Sequence, residues 1–284
     1  MVSHIHGTSI TPLPNNIRAV VFDVDGTIKD EEPIAAHVGK RLIMNQFYRC
    51  HPIGFLKGYF GSREVKKIVK ENGIENQAYG LKKFFEIVGK TIKVDLRTLD
   101  KLTKDILKEK ELSGFSAFNE ELQKRGVDTF FSTVSYDRVG RVGLDIYSLK
   151  GYAANQTIWQ NPSGNKIKGD EIVYRGSGKI DVPSIQGDVI LKDCSLTIIT
   201  SEGKRRATEE LMKSVGIRKE DVAIVGNDRL DHASMKYFGL AIAPPLADKE
   251  TEDLVQERHE NGRFIQDYNV AIECLLRDFQ PRKK

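Results

Sequence analysis

The stretch AVVFDVDGTI, Ala19 to Ile28, decides how the rest of the chain is read. The apolar residues Ala19–Phe22 run straight into Asp23, a second carboxylate follows at Asp25, and Gly26 and Thr27 break the run. From Ile17 onward the segment is rich in β-branched residues, the signature of a short buried strand. An ionised carboxylate buried without a partner is very costly. Either a cation waits at the end of this strand, or the segment is a surface turn.

Composition narrows the setting. The chain has 284 residues, enough for one large domain or a core domain with a smaller companion. With 39% apolar and 30% charged residues it reads as globular rather than disordered. A net charge of +4 is compatible with anionic substrates and too weak to argue for nucleic acid as a partner. Cys50, Cys194 and Cys274 are far apart and odd in number, so no zinc or disulfide framework is expected, which fits a reducing compartment. The opening MVSHIHGTSITPLPNN lacks the apolar core of a signal peptide, and no apolar run approaches the ~20 residues of a membrane span. These features predict a cytoplasmic protein with neither a membrane nor a nucleic acid as partner; the oligomeric state is not legible.

Outward from Asp23, residues 1–16 read as a flexible arm, polar and interrupted by Pro12 and Pro14. Residues 33–112 carry helical periodicity between polar loops; Leu81, Phe84, Phe85 and Val88, for example, share one helix face. This block reads as an all-helical insert. Alternation returns at Ser113: a helix ending at Gly126, a buried strand VDTFFS, and a short helix SYDRVGRVG. Residues 152–200 turn β-like, with a hairpin signal at NPSGNKIKG, and 170–200 leaves room for a small β-rich insert. Then come the helix KRRATEELMKSVG, the strand VAIVG, the helix HASMKYFG and the strand LAIA. Such alternation predicts an α/β fold, a doubly wound (Rossmann-like) parallel sheet with helices on both faces. In these sheets ligands bind beyond the carboxyl ends of the strands. Asp23, Ser132 and Gly226-Asn227-Asp228 each end a predicted strand, so three strand ends offer polar groups to one crevice.

This ordered set resembles the haloacid dehalogenase superfamily of phosphohydrolases: DVDGT at 23–27, Ser132 in FFSTVS, Lys204 in EGKRRATEELMKSVGI, and GNDRLDHASM at 226–235. The resemblance implies a core of residues 1–32 and 113–284 and a helical cap of 33–112 inserted after the first motif. It also implies roles. Asp23 attacks phosphorus and forms an aspartyl-phosphate. Asp25 protonates the leaving oxygen and later activates water. The hydroxyl of Ser132, with Thr133 and Ser135 as competing hydroxyls, and the ammonium of Lys204 hold phosphoryl oxygens. Mg2+ is the implied cofactor, held by Asp23, Asp231, the Asn227-Asp228 pair and the carbonyl of Asp25, all hard oxygen donors. Repulsion between a carboxylate and a phosphate dianion, about 4 kcal/mol per pair of unit charges at ~4 Å and an effective dielectric of 20, is what a divalent cation reverses. The implied activity is hydrolysis of a small phosphomonoester, so a small phosphorylated metabolite is the expected partner.

The chain is most similar to the phosphoserine phosphatase subfamily, in which a glutamate nine residues after the nucleophile reaches toward the substrate amine; Glu32 holds that position. Three features depart from it. Thr133 and Val134 follow Ser132 in place of two glycines, Leu230 replaces an asparagine, and Asn227 stands where the first acid of the last motif is expected. A phosphatase survives these changes; phosphoserine as its substrate does not follow. Two alternatives stay open: a phosphomutase-type transferase, and a binding or regulatory protein with weakened turnover. Individual residues also have plainer readings. Ser132 caps the next helix, Lys204 is a solvated first-turn lysine for which Arg205 or Arg206 substitutes, Glu32 complements a helix dipole, and Asp228 is a loop residue.

Overall fold

The computed structural model describes residues 11–48, 94–161, 163–176, 188–195, 197–277 and 279–280. The strands, in chain order, are β1 (Ala19–Phe22), β2 (Val94–Asp95), β3 (Asp128–Tyr136), β4 (Gly151–Asn155), β5 (Thr157–Gln160), β6 (Lys166–Lys168), β7 (Ile172–Tyr174), β8 (Asp188–Cys194), β9 (Val222–Val225), β10 (Leu240–Ala243) and β11 (Gly262–Phe264). Seven of them form one sheet in the order β11-β10-β9-β1-β3-β4-β7. All neighbours run parallel except the edge strand β7, which lies antiparallel to β4. The expected doubly wound α/β core is therefore present.

Side-chain alternation along β1 divides the interior in two. Val20 and Phe22 belong to one core with Phe115, Phe118 and Leu122 of helix Phe115–Lys124 and with Tyr268 and Leu275 of helix Tyr268–Leu275. Ala19 and Val21 belong to the other, with Leu211 and Met212 of helix Ser201–Ser214 and Leu254 and Val255 of helix Lys249–Glu257. A strand buried on both faces needs the continuous apolar run that β1 shows. Phe22 meets the Phe115 ring edge-on, with centroids 5.2 Å apart.

Strand register sets the site. Phe22 pairs with Phe131 of β3 on one side and Val225 of β9 on the other. The next residues, Asp23, Ser132 and Gly226, lie at one level: Asp23 and Gly226 follow the ends of β1 and β9, and Ser132 lies within β3. β3 does not stop at Ser132, as the sequence suggested, but continues to Tyr136. Its register against β4 slips between Ser132 and Tyr136, so Thr133, Val134 and Ser135 form a bulge. The β-branched and aromatic run FFSTVSY sustains an extended backbone, and the bulge absorbs the extra residues.

Residues 11–16 depart from the expected arm. Leu13 lies in the core and its N–H donates to Leu275 O at 2.9 Å, while Asn15 Oδ1 accepts from Gln280 N at 3.1 Å. Residues 1–10 lie outside the described residues. So does 49–93, the larger part of the expected cap. From the remainder of that block come helix Ile34–Tyr48 and helix Leu96–Glu109, the latter capped by Asp95, whose carboxylate accepts from Thr98 N at 3.1 Å. The two connectors of this block pair with each other: Leu112 N donates to Ile28 O and Asp30 N to Lys110 O. Helix Leu96–Glu109 is tied to the core helix Asp137–Ile146 by the Arg138 guanidinium, which grips both oxygens of Asp100.

A second sheet, β2-β8-β5-β6, is antiparallel throughout. It draws on residues 157–168 as well as the 170–200 stretch expected to form the β-rich insert, while β7 within that stretch belongs to the main sheet. Among the described residues no helix is long and apolar enough to cross a membrane.

Candidate active site

Asp23 follows the last residue of β1 and is almost fully buried. The chain then turns at Gly26, whose φ is +77°. A Cβ there would lie 2.2 Å from the Asn227 side-chain nitrogen, so only glycine lets the turn pass under Asn227. The turn is held on both sides. Thr27 Oγ1 donates to Asn227 Oδ1 at 3.2 Å, and the Tyr268 hydroxyl donates to Thr27 O at 2.8 Å.

Lys204 meets Asp23 from the other side. Thr200 caps helix Ser201–Ser214, accepting from Gly203 N at 3.0 Å, and this places Lys204 in the first turn. Its side chain is 3% exposed, so it is not a solvated lysine. Its Nζ lies 2.5 Å from Asp23 Oδ1 and 2.6 Å from Asp231 Oδ1. Arg205 and Arg206 turn away to pair with Glu202, and Arg205 also with Glu209. Burial works against the Lys204 charge, but Asp23, Asp231 and Asp228 outweigh it and hold the ammonium above its usual range. Burial likewise pushes the carboxyls of Asp23, Asp228 and Asp231 up, against the pull of Lys204. One ammonium thus serves two buried carboxylates in contact with it and the half-buried Asp228 through space.

The loop after β9 completes the group. Asn227 N donates to Asp231 Oδ2 at 3.1 Å. A Cβ at Gly226 would fall 2.1 Å from the Asp231 carboxyl carbon, so a glycine is what allows Asp231 to fold back against the strand end. Asp228 points elsewhere: its Oδ1 caps Leu230 N at 2.8 Å, and it reaches Lys204 only through space.

The remaining expected residues lie further apart. Asp25 Oδ1 accepts from Ile34 N at 2.9 Å and from Lys29 Nζ at 3.2 Å, while burial pushes its carboxyl up. Ser132 is buried with its Oγ 2.7 Å from Thr208 Oγ1. Thr208 spends its own proton on Lys204 O, at 2.8 Å, so Ser132 is the donor between them. Thr133 Oγ1 accepts from Ser135 N within the bulge, and the buried Ser135 hydroxyl has no partner among the described residues. Glu32 lies on the linker to helix Ile34–Tyr48 and pairs with Lys40, with His37 Nε2 at 3.5 Å.

The structure therefore brings Asp23, Lys204 and Asp231 into direct contact, Asn227 onto Asp231, and Ser132 onto the helix that carries Lys204. It adds residues that the sequence reading passed over: Thr27, Lys29, Asn155, Thr208 and Tyr268. Asn155 joins the bulge to the loop before Lys204, donating to Val134 O at 2.6 Å and accepting from Ile198 N at 2.9 Å. Only Lys29 left a local trace, its i,i+4 spacing from Asp25.

Several solved structures share this arrangement of elements. A substrate-bound phosphoserine phosphatase complex is 18% identical, covering 91% of this chain and 98% of its own, with a TM-score of 0.58. The fold is that of the haloacid dehalogenase phosphohydrolases. A phospho-aspartyl intermediate analogue of phosphoserine phosphatase is 19% identical over 91% of this chain and 99% of its own, with a TM-score of 0.57. A haloacid-dehalogenase-family hydrolase from Salmonella enterica serovar Typhi is 15% identical over 94% and 74%, with a TM-score of 0.60. No family model and no curated protein sequence matches the chain.

Proposed function

We propose that the protein hydrolyses a small phosphomonoester through an aspartyl-phosphate on Asp23. The observation that carries this is the placement of Asp23 at the end of β1 and of Asp231 in the loop after the adjacent parallel strand β9, both on Lys204 Nζ, with a separately held acid two residues beyond Asp23. In the reaction Asp23 attacks phosphorus and the bond to the leaving oxygen breaks, that oxygen taking the proton of Asp25. The Asp25 carboxylate then takes a proton from water, the hydroxide attacks phosphorus, and Asp23 and inorganic phosphate are released. Lys204 holds one oxygen of Asp23, orienting the other for attack, and its charge meets that gathering on the phosphoryl group. Ser132 turns its hydroxyl from Thr208 to a phosphoryl oxygen. Glu32 lies on the cap linker; its engagement by Lys40 favours a substrate without an amine.

The donor set suits Mg2+. Among the described residues no three His, Cys, Asp or Glu side chains form a ready metal cluster. The oxygens of Asp23, Asp231 and Asn227 and the carbonyl of Asp25 are nonetheless all hard donors, and burial opposes ionisation of the acids, a cost that a divalent cation would offset. These residues would hold the ion, with Asp228 acting behind them. Bound there, Mg2+ would offset the repulsion between the Asp23 carboxylate and a phosphate dianion.

Hydrolysis of p-nitrophenyl phosphate with and without Mg2+ tests the reading. Phosphate release that requires Mg2+ supports it. Release without metal removes the ion from the account, and binding of phosphate esters without release favours the binding-protein alternative.

A further inference from the structure

Lys29 is a fully buried lysine with no place in the reaction as drawn. Its ammonium has four acceptors: Asp25 Oδ1 at 3.2 Å, Asp30 Oδ1 at 2.7 Å, Asp30 O at 2.7 Å, and Glu32 O. Three belong to the linker that leaves the core for helix Ile34–Tyr48; the fourth is the carboxylate two residues beyond Asp23. The N–H of Ile34 at the start of that helix donates to the same Asp25 oxygen at 2.9 Å. Lys29 itself is fixed from behind, because its backbone bridges to Glu111 on the returning connector. A lysine taken wholly out of water is retained only where partners compensate the lost hydration. The three N–H groups of the ammonium are shared among these four acceptors, so the longest contact, to Asp25 Oδ1, is a bifurcated one reinforced by the attraction between ammonium and carboxylate.

We propose that Lys29 is a positioning residue for Asp25: together with the Ile34 N–H it immobilises Oδ1 and leaves Oδ2 to carry the proton, and it joins that carboxylate rigidly to the cap linker. This rests on the phosphatase reading for its chemical consequence, though not for the contact itself. Two donors on one oxygen fix the carboxylate plane, and a misplacement of about 1 Å costs up to roughly 100-fold in a positioned reaction. Because Asp25 protonates the leaving oxygen, the loss falls on poor leaving groups. An alkoxide needs the proton, whereas p-nitrophenolate departs without it.

The test compares kcat/KM for an alkyl phosphate and for p-nitrophenyl phosphate in wild type, Lys29→Met, Lys29→Arg and Asp25→Asn. The ratio kcat/KM reports steps up to departure of the leaving group, so later hydrolysis of the aspartyl-phosphate does not enter. Lys29→Met is expected to lower the alkyl value about tenfold more than the aryl value. Asp25→Asn should show a larger contrast in the same direction, and Lys29→Arg should recover part of the loss. Equal losses on both esters, or none, overturn the proposal and leave Lys29 as a linker staple. Thermal melting identifies a variant that fails to fold, and Lys29→Arg then carries the comparison. Amide hydrogen exchange supplies a readout independent of activity. In Lys29→Met the Ile34 amide should exchange about tenfold faster while Phe22 is unchanged, since only the former donates to Asp25. If wild type hydrolyses neither ester, the phosphatase reading fails, and exchange at Ile34 alone decides the contact: an unchanged rate overturns it.

Discussion

The Nζ of Lys204 lies 2.5 Å from Oδ1 of Asp23, across 181 residues of chain. The contact exists because a capped helix start and a strand end converge on the same edge of the sheet. It carries both charge balance and orientation. Lys204→Met should therefore lower kcat by roughly 10²–10³, the usual cost of losing one donor to developing charge. It should also destabilise the fold, by about 3–5 kcal/mol where Asp23 and Asp231 stay ionised. Steady-state kinetics and urea melts check the two effects; normal turnover in a folded variant would contradict the assignment.

Ser132 and Thr208 share one hydrogen bond, yet their variants should differ. Ser132→Ala removes a donor to a charged phosphoryl group, a bond worth about 1.5–3 kcal/mol, and so should raise KM by roughly 10- to 150-fold. Thr208→Val should lower the melting temperature and leave KM within about threefold, because Ser132 keeps its proton. Identical kinetic defects in the two would mean that Ser132 serves only to brace the helix of Lys204.

Asn227 tests the metal arrangement. Its Oδ1 already accepts from Thr27, and its N–H holds Asp231. Asn227→Asp adds a full charge beside an already acidic site, so Mg2+ should bind at least about tenfold more tightly by calorimetry, given the ~4 kcal/mol scale of such pairs. Without Mg2+ the same variant should melt at a lower temperature, since like charges are then uncompensated. Unchanged Mg2+ affinity would remove position 227 from the ligand set.

Asp137 gives a pH prediction away from the reacting atoms. It lies in the interior with its Oδ1 accepting from Thr157 N at 3.1 Å, and burial pushes its carboxyl up to about 6 from an ordinary 3.8 despite help from Thr157 and Arg138. A carboxyl raised in the folded state stabilises the fold below its ordinary value and loses that contribution as pH climbs to the folded one. Wild type should lose about 3 kcal/mol relative to Asp137→Asn between roughly pH 3.5 and 6.5. Asparagine keeps the Oδ1 acceptor for Thr157 and cannot ionise. Parallel urea melts across that range check it, and parallel curves for the two proteins would contradict it.

What the sequence disclosed was local. The unbroken apolar run of β1 and the alternation of strands and helices sufficed for the sheet, and polar residues at strand ends located Asp23 and Asn227. The periodicity of helix Ser201–Ser214 placed Lys204 in a first turn, without indicating that the side chain points inward. The contacts of Ser132 with Thr208 and of Asn155 with Val134 and Ile198 join segments 76, 21 and 43 residues apart. No periodic pattern marks such pairs. Leu13 was hidden for another reason: prolines and asparagines around it give the composition of a loop, and its burial depends on a helix at the far end of the chain. β3 ran past Ser132 because nothing in TVSY stops a strand, and a bulge has no fixed residue type.

The central claim is that Asp23 itself becomes phosphorylated. The direct measurement is to quench the wild-type protein in acid during turnover of p-nitrophenyl phosphate with Mg2+, reduce it with borohydride, and map it by mass spectrometry. An aspartyl-phosphate is reduced to homoserine. Homoserine is expected at position 23, absent without substrate and absent in Asp23→Asn, which should also be inactive. Steady phosphate release with an unmodified Asp23, or homoserine at any other aspartate, would contradict it.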